Sequence, residues 1–575
     1  MNGKIDGVLL EVIGNTYMSI AEEMGAVLVK SAYSTNIKER RDCSCGVFDI
    51  NGETIAQAEH IPMHLGSLLG IVRDVLRFYP LEAIREGDMF IANDAYNGGG
   101  THLPDISVAS PVFWEGKLIA FVCNIAHHND VGGRVPGSNA GDSRSIYEEG
   151  IRIPPVKIFS EGALNEDILR LILLNCRIAD IRCGDLNAQF ACNNKGIQRV
   201  RESCAHYGAD LMLECMREML AYSERRMRLA IRGLPKGKAA FTDFLDSDGV
   251  GGPPIPLHVE LEIREDEIFL DFSRNPPQVA GAINLIDPGL RACLYYCLKS
   301  IVDPGLPANG GYYRAIRYVA PEGSVVSCKE PAAVAGRTDT AQRVCDLIFG
   351  AMARIVPQRV MAGCNSAITS IVFSGREPGT DRTYVYLESV GGGSGARFCA
   401  DGLDAVQVHM TNTSNLPIEC MELEYPLMVE RYEMVADSGG PGTYRGGLCI
   451  RKDIRIMEGR CTFTVKADRT KTPPWGLDGG GAGSCGSLTL DPDTDHPVVL
   501  DSKKSGTILE PGTLVSCRTP GAGGYGNPHR RERALIVRDL EQGLISAESA
   551  VRDYGMAEEA VRAVGTFIRA SGEAL

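Results

Sequence analysis

The sequence predicts a mixed α/β (α+β) protein of several subdomains, with a helix-rich N-terminal region and a glycine-rich, β-dominated C-terminal half. Three observations carry this. Apolar side chains recur at helical spacing over residues 5–33 (Ile5, Val8, Leu9, Val12, Ile13, Ile20, Met24, Val27, Leu28) and again through most of 185–232. From residue 238 the pattern changes to alternation, as in LHVELEIREDEIFLDFS. From about 358 to 540, short strand-like runs are punctuated by glycine clusters such as VGGGSG, DSGGPG and PGAGGYG. At 575 residues the chain is too long for one compact core. The expected regions are 1–236, 237–357, 358–545 and a closing helical segment, 546–575.

Composition narrows the function. A net charge of −14 and the absence of any Lys/Arg block argue against a nucleic-acid partner. The N-terminus has no basic stretch followed by a continuous apolar core, and no run of about 18 apolar residues exists for a membrane span. The 19 cysteines are scattered, and several (Cys176, Cys215, Cys293, Cys297, Cys345) sit in apolar runs where a thiol behaves as a small hydrophobe. A reduced cytoplasm is the expected compartment.

In order along the chain, the first helix leads through a loop into a hairpin turning at Asn51-Gly52. Cys43 and Cys45 form a C-x-C with no second pair nearby, which reads as two strand cysteines. His60 and His64, four residues apart, could share a helix face, but Pro62 between them marks the entry of a helix rather than its body. The pair therefore either packs at that turn or lines an active site. Leu234-Pro-Lys-Gly-Lys reads as a linker. Asp243, Asp246 and Asp248 lack the spacing and distal glutamate of a calcium loop and read as a turn. Helices are expected at 287–302, 339–355 and 546–568.

The chemistry concentrates between Gly87 and Gly133. His102 and Asp105 follow three consecutive glycines, and His127, His128 and Asp130 follow an apolar strand about 25 residues later. Two imidazoles and a carboxylate held this way are suitable ligands for a divalent metal with open positions. Glu148 and Glu149 end the next polar loop, where a carboxylate could face a cleft. The chain has no G-x-x-x-x-G-K-[ST] loop and no G-x-G-x-x-G between a clear strand and helix, so a nucleotide, if used, is expected on another chain.

Several segments in order, ERRDCSCGVFD, AEHIPMHLGS, GDMFIANDAYNGGGTHLPDI, YEEGIRIPPVKIF, GDLNAQ, LESVGGGSGAR, NTSNLPIECMELEYPL, DSGGPGTYRGG and PGAGGYGNP, resemble the hydantoinase B/5-oxoprolinase family. The resemblance implies a hydantoinase A-type partner that holds ATP-Mg and phosphorylates a carbonyl or enolate oxygen of the substrate. The phosphorylated compound then passes to the B-type chain. It also implies one divalent metal on His102, Asp105 and His127, with zinc preferred for a hydrolase and manganese or iron also admitted by that ligand set. His64, His128, Asp130 and Glu149 are the expected groups for orienting water or moving a proton. O-phosphorylation would remove the resonance that protects an unstrained amide, and a metal would lower the pKa of an attacking water.

The function expected on this basis is the metal-binding subunit of an ATP-dependent cyclic-amide hydrolase, acting on a lactam, hydantoin or oxoproline ring. It would work in a hetero-oligomer in which this chain also pairs as a dimer. The alternatives are a subunit of an ATP-dependent ketone carboxylase and a non-catalytic scaffold.

Overall fold

The computed structural model describes residues 5–58, 61–380 and 382–564, and His60 lies outside them. The fold is mixed α/β, with four sheets among the described residues. The first contains β1 (Cys43–Phe48), β2 (Thr54–Gln57), β3 (Met89–Ala92), β4 (Asp105–Trp114), β5 (Lys117–His127), β6 (Val156–Ser160) and β7 (Ala163–Leu164). They pair antiparallel in the order β2-β1-β5-β4-β3-β6-β7.

Both faces of this sheet are covered, which is why β1 and β5 read as apolar runs rather than as alternating ones. Ala120, Val122 and Ala126 of β5 pack with helices Gly7–Ser31, Ala179–Tyr207 and Ala209–Arg232. Phe121, Cys123 and Ile125, pointing the other way, pack with helix Pro62–Phe78. Pro62 is the first residue of that helix, where a missing N–H costs nothing. The expected helix at 5–33 is Gly7–Ser31, started by the Asp6 carboxylate accepting from the Val8 N–H. The helical stretch 185–232 belongs to two helices, divided at Gly208, whose φ of 87° only glycine adopts without strain.

A second sheet, ordered Ile316–Val319, Ile268–Asp271, Ile255–Ile263, Gly237–Leu245, packs against helices Asp287–Val302 and Arg337–Ala353. Every residue of helix Arg337–Ala353 is buried, including Arg337, Asp339, Arg343 and Asp346. This core also takes Ile61, Met63, Met227 and Met410, so the successive regions of the chain are packed together. The third sheet orders Thr383–Val390, Thr369–Arg376, Cys461–Lys466 and Lys503–Leu509. The fourth orders Leu427–Met434, Ile450–Ile456, Leu514–Arg518, Ser487–Leu490 and Val498–Val499, and the two share one core. The helix expected at 546–568 is interrupted: Ala547–Arg552 ends before Gly555, whose φ is 69°, and helical structure resumes at 558. Among the described residues, no helix is long and apolar enough to cross a membrane.

Candidate metal centre

The centre is built at the open end of the β4–β5 pair. Asp105 opens β4, His127 closes β5, and the two are directly opposite in the antiparallel register. His102 precedes β4 by a tight turn, in which the Asp105 N–H donates to the His102 carbonyl at 3.3 Å. His102 Nε2 lies 2.9 Å and His127 Nδ1 3.1 Å from Asp105 Oδ1, and the two nitrogens are 3.2 Å apart. Three donor atoms converging at about 3 Å are spaced like neighbouring ligands on one ion with bonds of about 2.0–2.2 Å. All three residues are buried, and among the described residues His102 Nδ1 has no hydrogen-bond partner. The donor set fits a divalent ion.

The backbone that carries them is held by close packing. Gly99, at φ 73°, meets helix Pro62–Phe78 so tightly that a Cβ there would stand 2.4 Å from the Ile71 nitrogen. A Cβ on Gly70 would stand 2.6 Å from the Gly99 Cα. The glycine run thus lets the loop before His102 seat directly on a helix backbone. On the other side, Asn36 Nδ2 donates to the His127 carbonyl at 2.8 Å.

Further side chains surround the triad. His64 Nε2 is 3.5 Å from Asp105 Oδ1 and 3.6 Å from Asp42 Oδ1, and its Nδ1 is 3.3 Å from Ser44 Oγ. The Arg337 guanidinium donates to Asp105 Oδ2 at 2.7 Å and to Thr101 Oγ1 at 2.8 Å. Asp42, Asn139, Ser370, Ser389 and Lys466 line the same cavity with the apolar Met63, Ile368, Leu387 and Met410. Burial and the Arg337 charge hold the His102 pKa well below the ordinary imidazole value. Burial opposes ionisation of Asp105, yet its hydrogen bond with His102 and the Arg337 charge hold its pKa well below the usual carboxylate range. A neutral imidazole beside an ionised carboxylate is the protonation state a cation requires. Burial also opposes a charge on His64, but Asp105 and Asp42 raise its pKa overall.

The family model described as hydantoinase B/oxoprolinase matches residues 6–528. This chain belongs to the hydantoinase B/oxoprolinase family. An uncharacterized protein of Methanocaldococcus jannaschii is 39% identical over 559 residues, 96% of each chain. The caprolactamase subunit beta of Pseudomonas jessenii is 32% identical over 568 residues, again 96% of each. The crystal structure of the ATP-dependent caprolactamase from Pseudomonas jessenii superposes with a TM-score of 0.90 at 30% identity, covering 96% of each chain. A nucleotide-free acetone carboxylase structure shares the fold, with a TM-score of 0.88 at 19% identity over 99% of this chain and 84% of that one.

In this hydantoinase B/oxoprolinase chain, the remaining residues singled out by sequence sit elsewhere. His128 turns to the opposite face of the sheet, 2.9 Å from Gln189 Oε1. The Gln189 amide nitrogen donates to Ile106 and Asn124, so its oxygen accepts and His128 carries its proton on Nε2. Burial, with Arg182 nearby, lowers its pKa to about 4. Asp130 organises a loop: its oxygens accept from the backbone N–H groups of Gly132, Gly137 and Arg177 and from the Arg177 guanidinium. Glu149 Oε1 accepts from the Val334 and Ala335 N–H groups, each at 2.8 Å, and so fastens the segment that leads into Arg337.

A second constellation, Asp346, Cys364 and His409, also brings three ligand-type atoms together. Here both aspartate oxygens accept from donors that are not metal ligands. Oδ1 accepts from the Cys364 N–H and lies 3.0 Å from His409 Nε2, while Oδ2 accepts from Ser366 and Arg469. Burial opposes a charge on His409, but Cys364 and Asp346 raise its pKa to about 10, so an imidazolium completes an ion pair there.

Proposed function

We propose that this chain is the metal-holding subunit of an ATP-dependent cyclic-amide hydrolase. It would open a lactam, hydantoin or oxoproline-like ring after a hydantoinase A-type partner has phosphorylated the ring's carbonyl oxygen. The observation that carries the reading is the convergence of His102 Nε2, His127 Nδ1 and Asp105 Oδ1 within 3.2 Å, in a cavity that His64 and Asp42 also enter. The resemblance in length and sequence to a protein named as a caprolactamase subunit supports the substrate class and the need for a partner. The chain has no Walker-type loop of its own, which supports an ATP site on that partner.

His102, Asp105 and His127 would hold the ion, zinc by preference and manganese or iron by the same ligand chemistry. When bound, it would supply Lewis acidity and a water of lowered pKa. Arg337 fixes one oxygen of Asp105 and leaves the other for the ion. His64, anchored through Ser44, stands where its Nε2 can hold a proton between Asp42 and Asp105 and hand it to the ring nitrogen as water adds to the carbon and the C–N bond breaks. Hydrolysis of the acyl phosphate so formed would release inorganic phosphate. Met63, Ile368, Leu387 and Met410 keep bulk water from the ring.

The test is reconstitution with an A-type partner, ATP and caprolactam, 5-oxoproline or hydantoin, with the ring-opened product followed by chromatography. Wild type should form product and His102→Ala should not, while the partner's ATP turnover persists. Unchanged product formation by His102→Ala would refute the assignment. Carboxylation of acetone when acetone and bicarbonate replace the cyclic amide, with no ring opening in the first assay, would replace it with the ketone carboxylase alternative.

A further inference from the structure

The third sheet contributes the cavity wall that carries Lys466. In its register Ser370 is directly opposite Ser389 on one side and Lys466 on the other, and Lys466 is directly opposite Lys503. Residues opposite one another share a face, so two serines and two lysines form one row across four strands. Both lysines are 3% exposed. Like charges placed opposite each other destabilise a sheet, and a buried ammonium costs more again unless paired.

Lys503 has its partner: its Nζ donates to Asp468 Oδ2 at 2.7 Å. Lys466 does not. Its Nζ donates to Thr338 Oγ1 at 2.6 Å, and among the described residues it makes no ion pair. Asp339 lies close enough to favour the ammonium but forms no hydrogen bond with it, and burial pushes Asp339 towards its protonated form. Burial lowers the Lys466 pKa to about 8, which leaves it chiefly protonated at neutral pH. Asn139 Nδ2 donates to Ser370 Oγ at 2.8 Å, freeing that hydroxyl's own proton for a further acceptor. A buried ammonium and two hydroxyls therefore line a cavity with donors to spare.

We propose that Lys466, with Ser370 and Ser389 beside it, is an oxyanion-binding wall that takes a phosphoryl or carboxylate group of the cavity's ligand. This rests on the reading of the cavity as an active site. It assigns the ligand an anionic group, held on the third sheet while the metal triad stands on the first.

The experiment is calorimetric titration of the full chain with inorganic phosphate and, separately, with acetate. It compares wild type with Lys466→Met and Lys466→Gln, either of which serves if the other fails to fold. The wild type should bind at least one anion, and both variants should bind it about tenfold more weakly or worse, the loss expected for a hydrogen bond to a charged group. Phosphate preference identifies a phosphoryl group, and acetate preference a carboxylate. Equal affinity in variants and wild type, or no binding of either anion by wild type, would overturn the proposal. Metal content is read in parallel. Its absence from wild type would count against the metal reading alone, because the Lys466 comparison does not require the ion.

Discussion

Replacing Glu149 by glutamine should remove a pH-dependent penalty from the fold and leave turnover intact. The carboxyl is 2% exposed, and among the described residues Oε2 has no hydrogen-bond partner while Oε1 accepts two backbone N–H groups. Burial outweighs those two bonds and raises the pKa from 4.5 to about 8. A group raised in this way contributes its full stability below its unfolded pKa and loses it as pH rises through the folded value. Between 4.5 and about 8 the wild type should therefore lose stability with rising pH. The slope is about 1.4 kcal/mol per pH unit, on the order of 3 kcal/mol by neutrality. Glutamine keeps the accepting oxygen and has no proton to lose. Urea unfolding of both proteins between about pH 5 and pH 8 should show the variant gaining on wild type at each step. A difference independent of pH would mean that the carboxyl is ionised in the fold. Lost turnover with the fold intact would move Glu149 from scaffold to chemistry.

Three further outcomes are expected. Cys364→Ser should leave the metal content of the protein unchanged by elemental analysis, because the Asp346 oxygens are already occupied by protein donors; loss of an equivalent would reveal a second ion site. Gly99→Ala should lower stability by about 2 kcal/mol or more, since it combines a left-handed φ with a clash against Ile71. It should also displace His102, and thermal unfolding with metal analysis checks both. Arg337→Met leaves Asp105 as a buried carboxylate without its arginine and should cost about 3–5 kcal/mol in urea unfolding of metal-depleted protein. A neutral result would show that the two histidines suffice to hold that charge.

Much of the centre was legible because antiparallel neighbours joined by a short turn are close in both sequence and space. Asp105 and His127 bracket a single hairpin, and His102 lies within its entry turn. Successive residues at a strand end point to opposite faces, which sends His127 to the cavity and His128 to helix Ala179–Tyr207. That separation follows from strand geometry and is invisible in the string HHND. Asp130 and Glu149 are acidic residues in polar loops, where spacing alone does not tell a backbone clamp from a catalytic group. Asp42 stands within ERRDCSCG, one residue before β1, but nothing local shows that β1 runs beside β5. Arg337, Ser370 and Lys466 reach the cavity from another helix and another sheet, and only tertiary packing brings them there. The helical pattern at 546–568 was overridden at Gly555, as at Gly208 earlier in the chain, where a positive φ ends the helix.

The central claim is that His102, Asp105 and His127 hold one divalent ion, and elemental analysis of the purified chain tests it most directly. Wild type should carry about one equivalent of zinc, manganese or iron per chain. The His102→Ala/Asp105→Ala double variant should carry none while retaining the wild-type circular dichroism. A wild type that takes up no ion, or a folded double variant that keeps it, would contradict the account.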